Sequence, residues 1–378
     1  MKKFFFTLLF LLLTLPQVKA LELTQYSSSA ILIEPTTNTI IYEQNKDERR
    51  PPASMTKMMT MLLIMESIDS GKINLTDKVT ISKNAASMGG SQVFLQENMQ
   101  IDVDQLLKGI AIASGNDAAV AMAEHIAGST EEFVNRMNQK ATELGLKNTH
   151  FMNVHGLHEE EHYSSAYDMA MIALELLKHD KILNYTSLYE DYLEKPDGTK
   201  AWLVNTNKLV RFYEGVDGLK TGFTKEAMYC LTSTAKKNNI RFVTVVMGAD
   251  TTEHRSADTT SMLNYAFSNY KLNTILDNTK ILGEIEVNRG KQNKGTFSVK
   301  ESVTDLIKQN EEKSYSYNIT KFNVTAPIKK GDTVGNLEVI DNNGKVIKKV
   351  DIIINEQIEK NNFFTLFLDI FQKIVTGF

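Results

Sequence analysis

Cysteine is almost absent from this 378-residue chain, which has one, Cys230. A lone thiol cannot close an internal disulfide, so an exported form of the protein must rely on its core. In its setting, "MYCLTSTA", Cys230 reads as a small buried apolar residue rather than a reactive thiol. Dense basic blocks with interleaved aromatics are also missing, and the formal net charge is −4. Both features speak against a nucleic-acid partner. There are no internal repeats and no low-complexity segments. Apolar runs long enough to cross a bilayer are lacking too. The opening "MKKFFFTLLFLLLTLPQVKA" comes nearest, but its apolar middle, residues 4–15, falls short of the ~20 residues a span needs. Lys2 and Lys3 before it and Val18-Lys19-Ala20 after it make residues 1–20 a secretory signal peptide, with a membrane anchor as the alternative. Cleavage after Ala20 removes three lysines and no acids, taking the formal charge from −4 to −7.

What is present is an ordinary globular composition, 42% hydrophobic, enough to build a core. Residues 27–45 read as two short strands around a turn at Pro35-Thr36-Thr37-Asn38. Apolar residues at helical spacing predict helices over 54–68, 102–113, 117–127, 130–144 and 166–178. From about residue 197 the texture turns strand-like in "AWLVNTNKLV", "MYCLTSTAKK" and "RFVTVVMGAD", with a helix over 253–268. Residues 276–355 alternate apolar and polar and carry hairpin signals such as Asn342-Asn343-Gly344, as in a small all-β domain. In the closing stretch Phe363, Phe364, Phe367, Ile370, Phe371, Ile374 and Phe378 share one helical face. That helix would be too short to span a bilayer and carries Asp369 and Lys373, so it reads as an amphipathic anchor on the membrane surface; a helix packed on the protein's own body is the alternative. The chain is thus an α+β protein: a signal peptide (1–20), a main domain (21–275), a small all-β domain (276–355) and an anchoring helix (356–378).

The chemistry is concentrated in "PPASMTKMMTMLLIMESI". Pro51-Pro52 precede a helix whose buried face includes Met55, Met58, Met59 and Leu62. Residues three apart share a side of a helix, so Lys57 can reach the Ser54 hydroxyl. Serine is a poor nucleophile until a base takes its proton, and lysine is a base only when neutral. Burial and a nearby positive helix end both favour that neutral form. Ser-x-x-Lys alone is weak, since it recurs at Ser233 and Ser268. Its company is stronger: "SGNDAAVAMAEHI" puts Ser114-Gly115-Asn116 on a tight turn before a helix, and "VDGLKTGFTKEAMYCL" puts Lys220-Thr221-Gly222 at the start of a strand. Ser-x-Asn also occurs at Ser82 and Ser316, but Lys-Thr-Gly is unique here, and only Ser54 offers a Ser-x-x-Lys upstream of it.

This set is similar to that of penicillin-binding proteins and class A β-lactamases. From about residue 28 to 275 the chain closely resembles the low-molecular-mass penicillin-binding proteins, serine-type D-alanyl-D-alanine carboxypeptidases. The matching text includes "PPASMTKMMT", "SGNDAAVAMAEHIAG", "MNQKATELGLKNTHFMNVHGL", "HYSSAYDMA" and "GLKTGFTKEAMYCL". The resemblance implies a helical cluster beside an antiparallel sheet with the site between them, no cofactor, and a peptidoglycan stem peptide ending in D-Ala-D-Ala as substrate. It implies that Ser54 attacks the penultimate D-Ala carbonyl with Lys57 as base, and that Ser114 passes a proton to the leaving amine. By the same resemblance Asn116 holds the peptide, Lys220 supplies positive charge, and Thr221, Gly222 and Phe223 grip the substrate along a strand edge. The N–H groups of Ser54 and Phe223 would form the oxyanion hole, and Arg255 would hold the terminal carboxylate. β-Lactams would acylate the same serine, and the β-domain and tail also look like that family's layout.

Three other readings compete. His158-Glu159-Glu160-Glu161-His162 formally matches the zinc-protease pattern, but that pattern needs one continuous helix. Here Gly156 precedes it and a capping box at Ser165 and Asp168 opens the next helix, which leaves the motif in a loop. A β-lactamase would need a further carboxylate to activate the deacylating water, and "EEFVN" at 131–135 only loosely suggests one. A wall-binding protein with a dead site is the third.

Overall fold

A computed structural model of the chain describes residues 21–362 together with Phe367, Phe371, Ile374 and Val375. The expected signal peptide, and most of the expected amphipathic helix, therefore lie outside the described residues. The chain divides into two units, the second made of Ala266 onward together with the short segments Glu34–Thr39 and Asn238–Ile240.

The centre of the first unit is the helix Lys57–Asp69 (α1), in which every residue from Lys57 to Met65 is buried. One buried face was expected. A helix that is apolar all round is instead surrounded, and its Met- and Leu-rich sequence fills irregular gaps on every side. Four helices pack on it: Val103–Ala113 (α2), Asn116–Ala127 (α3), Thr130–Glu143 (α4) and Ala166–Leu176 (α5). Ser129 and Ser165 cap α4 and α5, each accepting from an N–H three residues on. The helix expected from residue 54 begins differently. Ala53–Thr56 forms a 3-10 turn, entered through Ala53 at φ 47°, and α1 follows from Lys57.

The strands Ser29–Glu34 (β1) and Thr39–Gln44 (β2) flank the expected turn. Between the helices and the remaining sheet strands, Glu190–Glu194 (β3) and Lys200–Val204 (β4) form a separate hairpin. Val216–Thr224 (β5), Met228–Lys237 (β6) and Ile240–Ala249 (β7) complete a five-stranded sheet in the order β2-β1-β7-β6-β5, with β5 at its edge. Helix Thr252–Asn269 (α6) follows. Two expectations change here. "AWLVNTNKLV" is strand only to Val204, because Asn205 and Asn207 turn the chain. Asn205 Nδ2 donates to the Thr186 and Leu188 carbonyls, its Oδ1 accepts from the Asn207 N–H, and Asn207 Nδ2 reaches the Gly218 carbonyl. Lys220-Thr221-Gly222 lies in the middle of β5, not at its start, with Lys220 opposite Thr232 on β6.

The second unit is mostly β. Tyr270–Leu276 (β8) pairs with Val303–Lys308 (β11). Gly283–Asn288 (β9), Lys294–Val299 (β10), Tyr315–Lys321 (β12), Val324–Thr325 (β13), Thr333–Asp341 (β14) and Val346–Ile354 (β15) form a sheet in the order β12-β14-β15-β10-β9-β13. Alternate residues such as Val350, Ile352 and Ile354 turn inward onto Phe297 and Leu337. The expected hairpin at Asn342-Asn343-Gly344 joins β14 to β15. The Asp341 carboxylate accepts the Asn343 and Lys345 N–H groups, and Gly344 takes φ 77°.

Candidate active site

The turn at Ala53–Thr56 and the first residue of α1 bring two side chains together. Lys57 Nζ lies 3.1 Å from Ser54 Oγ. It also lies 2.6 Å from Asn116 Oδ1 and 2.7 Å from the His155 carbonyl. The Asn116 amide is oriented by its other end, where Nδ2 donates to the Gly89 carbonyl at 2.7 Å. Two of the three partners of Lys57 can therefore only accept. A neutral amine has two hydrogens and one lone pair. If both hydrogens go to Asn116 and His155, the lone pair is left facing the Ser54 hydroxyl. Lys57 is fully buried, and burial holds it well below the usual lysine range, with the charge of Lys220 pushing the same way and Asp117 opposing. The neighbouring cation is a cause that the sequence reading did not include.

Lys220 is buried behind the same wall. Its ammonium donates to the Thr221 carbonyl at 2.9 Å, and burial, followed by the Arg255 charge, pushes it down to about 7. Ser114 ends α2 in the left-handed region at φ 62°, and its buried Oγ has no hydrogen-bond partner among the described residues. Arg255, on the first turns of α6, is buried with Nε likewise unpartnered. Thr221 Oγ1 donates to Thr206 Oγ1 at 2.6 Å.

Ser54, Ser114, Thr221, Gly222, Phe223 and Arg255 line one cavity of about 560 Å3. Lys57, Asn116 and Lys220 sit behind its wall and act on it from within. Gly222 is required where β5 meets the nucleophile's turn. A Cβ there would come within 2.7 Å of the Pro52 carbonyl oxygen and 3.2 Å of the Ser54 nitrogen. Asn116, expected to hold the peptide, has both ends of its amide engaged inside the protein and is not part of the cavity lining.

Sequence reasoning missed several participants. The His155 carbonyl completes the setting of Lys57. Its sequence signal is Gly156, which takes φ 87° and whose Cβ would fall 1.9 Å from the Ala53 carbonyl oxygen. The "VHGL" stretch therefore has to lie against the nucleophile's turn. Thr206, Phe212 and Tyr229 also line the cavity. The rings of Phe223 and Tyr229 meet at 4.4 Å. Nothing in the local sequence around Thr206 or Phe212 marks them.

The competing motifs are differently employed. His158–His162 lies outside any helix, as expected. His162 is buried, with Nε2 2.7 Å from Thr56 Oγ1 and Nδ1 accepting the Met152 N–H at 3.0 Å. Its two ring nitrogens thus tie the nucleophile's turn to the 150s loop, and burial pushes its pKa down to about 3. Glu131 and Glu132 lie in the exposed first turn of α4, where Glu132 pairs with Arg136, and neither lines the cavity.

A family model for D-alanyl-D-alanine carboxypeptidases, peptidase S11, matches residues 17–251. The chain belongs to the D-alanyl-D-alanine carboxypeptidase family. A second family model, the C-terminal domain of penicillin-binding protein 5, matches this carboxypeptidase at residues 270–360. It is 50% identical to the D-alanyl-D-alanine carboxypeptidase DacF of Bacillus subtilis, over 91% of this chain and 89% of that protein. It is 36% identical to DacA of Escherichia coli K12, over 91% and 86%. Among solved structures it is similar to penicillin-binding protein 5 of Haemophilus influenzae, at TM-score 0.75 and 31% identity over 90% of this chain and all of that one. The carboxypeptidase therefore has the α+β architecture of that family, a catalytic domain followed by a β-domain.

Proposed function

We propose that this carboxypeptidase removes the terminal D-Ala from peptidoglycan stem peptides through an ester on Ser54. The observation that supports this best is the setting of Lys57, whose two acceptor partners leave its lone pair for the Ser54 hydroxyl. Lys57 takes the Ser54 proton as Oγ bonds to the penultimate D-Ala carbonyl carbon. The N–H groups of Ser54 and Phe223 receive the developing oxyanion, each donor worth about 3 kcal/mol. Ser114, a cavity-lining residue whose buried hydroxyl has no partner among the described residues, passes a proton to the nitrogen of the departing D-Ala. Water then attacks the ester and Ser54 recovers its proton. Arg255 holds the carboxylate of the substrate, Thr221, Gly222 and Phe223 grip it along the β5 edge, Lys220 supplies positive charge from behind the wall, and Asn116 acts as a positioning residue for Lys57. A β-lactam presents a similar carbonyl and carboxylate and acylates Ser54 in the same way. Ser54→Ala is expected to abolish both D-Ala release from a peptide ending in D-Ala-D-Ala and labelling by a fluorescent penicillin. Persistence of either would refute the assigned nucleophile.

The protein is further proposed to be exported through residues 1–20 and to work at the outer face of the cytoplasmic membrane, held there by the closing residues as an amphipathic anchor. The anchor expected from residue 356 starts later, because Ile358 is buried in the core of the β-rich unit and bridges to Ile328, and the Glu356 carboxylate accepts from Thr296. Supporting the anchor, Phe367 and Phe371 stack with ring centroids 6.3 Å apart, and both are exposed together with Ile374 and Val375. Among the described residues no helix is long and apolar enough to cross a membrane, so the contact would lie in the interface plane.

A further inference from the structure

The hairpin β3–β4 carries two large aromatic rings that the catalytic reading does not use. Tyr192 and Trp202 are directly opposite each other in the antiparallel register, and they are 52% and 62% exposed. Their chain neighbours Leu193 and Leu203 are buried in the core, so the hairpin is anchored by one face and presents the other. Directly opposed residues in such a pair lie roughly 5 Å apart at Cβ, which sets the two side chains next to each other on the open face. Polar groups rim this surface: Trp202 Nε1 donates to Glu190 Oε2 at 3.2 Å, and Lys200 pairs with Glu194.

An apolar aromatic surface rimmed by fixed hydrogen-bonding groups suits a pyranose ring, which has C–H groups on its faces and hydroxyl and amide groups at its edge. The hairpin is also continuous with the cavity wall on two sides. β4 runs straight into Thr206 and Lys208, which line the cavity. Lys195, just after β3, donates at 2.9 Å to the carbonyl of Phe94, on the loop that brings Ser91 to the cavity.

We propose that Tyr192 and Trp202 form a binding platform for the glycan strand of the cell wall, a chain of N-acetylated amino sugars. The proposal rests on the reading that the cavity takes a stem peptide, because such peptides hang from that strand and would bring it past the hairpin. The platform makes the enzyme favour polymeric wall over free peptide.

Trp202 is the only tryptophan in the chain, so its fluorescence reports the platform directly. The full chain is titrated with glycan strands stripped of their peptides by an amidase. A saturable change in Trp202 emission is expected, with Tyr192→Ala weakening the affinity at least tenfold. Trp202→Ala and Tyr192→Ala are each expected to lower D-Ala release from polymeric wall at least threefold, while turnover of a short soluble peptide and labelling by fluorescent penicillin stay unchanged. No emission response at millimolar glycan, equal losses on polymer and peptide, or an effect of Trp202→Ala only on association with other proteins would each overturn the platform. Failure of the catalytic reading would appear separately, as loss of penicillin labelling at Ser54, since the glycan titration requires no turnover.

Discussion

A buried lysine is costly, and a buried lysine beside a second one is more so. The charge of Lys220 adds to burial in favouring the neutral form of Lys57. Asn116 gives this arrangement its direction: without its oxygen, Lys57 could turn a hydrogen toward Ser54 and present no lone pair. Asn116→Ala is therefore expected to slow acylation by penicillin about 100-fold, within the usual range for general-base catalysis, while the protein still folds. Asn116→Asp places a carboxylate at 2.6 Å from the amine, favours the ammonium and moves the rise of the acylation rate to higher pH. Stopped-flow acylation rates across pH check both. Unchanged rates in Asn116→Ala would remove the orienting role. At this scale the sequence was informative about Ser54, Lys57, Ser114 and Lys220, because short spacings and a unique tripeptide mark them. It was silent on the His155 carbonyl, since a backbone oxygen has no residue type to read.

The nucleophile's turn, α1 and the edge strand β5 must meet closely enough for one substrate to touch all three. Gly222 sets that distance. Gly222→Ala would push a methyl group against the Pro52 carbonyl oxygen at 2.7 Å and the Ser54 nitrogen at 3.2 Å. Neither contact is with a flexible side chain, so β5 or the turn must shift. Overpacking of this kind costs about 1–3 kcal/mol, and a shift of about 1 Å near the chemistry can cost 100-fold in rate. Thermal unfolding and penicillin labelling are both expected to show losses, and wild-type labelling in Gly222→Ala would argue against this contact. Helix periodicity located α2, α3, α4 and α5 to within a residue or two, though the first two turns of α3 are buried on every side. It misjudged α1, where apolar residues on every side hide which face is buried, and "AWLVNTNKLV", where two asparagine side chains take over backbone hydrogen bonds that a strand would have needed.

For the whole molecule, the division into a catalytic part and a β-rich part was legible as a change of texture, from helical spacing to strict alternation. The expected shift near residue 276 falls at the end of β8, while the second unit already takes the last residues of α6 from Ala266 on, together with Glu34–Thr39 and Asn238–Ile240. Membrane attachment through the terminal residues makes a separate prediction. Deleting 363–378, which spares the packed Glu356 and Ile358, is expected to move the protein from the vesicle pellet to the supernatant, with turnover of a soluble D-Ala-D-Ala peptide unchanged. A deletion variant that still pellets with vesicles would place the anchor elsewhere.

The central claim is that Lys57 rests as a neutral amine with its free electron pair toward Ser54. The direct measurement is the nitrogen resonance of Lys57 in protein labelled with 15N at lysine Nζ, followed across pH and assigned with Lys57→Arg. Because burial and the Lys220 charge lower its pKa well below 10.5, the signal should change from ammonium to amine well below that pH, in step with the gain of Ser54 acylation. An ammonium signal persisting to about pH 10, the ordinary range for lysine, while Ser54 still acylates at pH 7, would contradict the account.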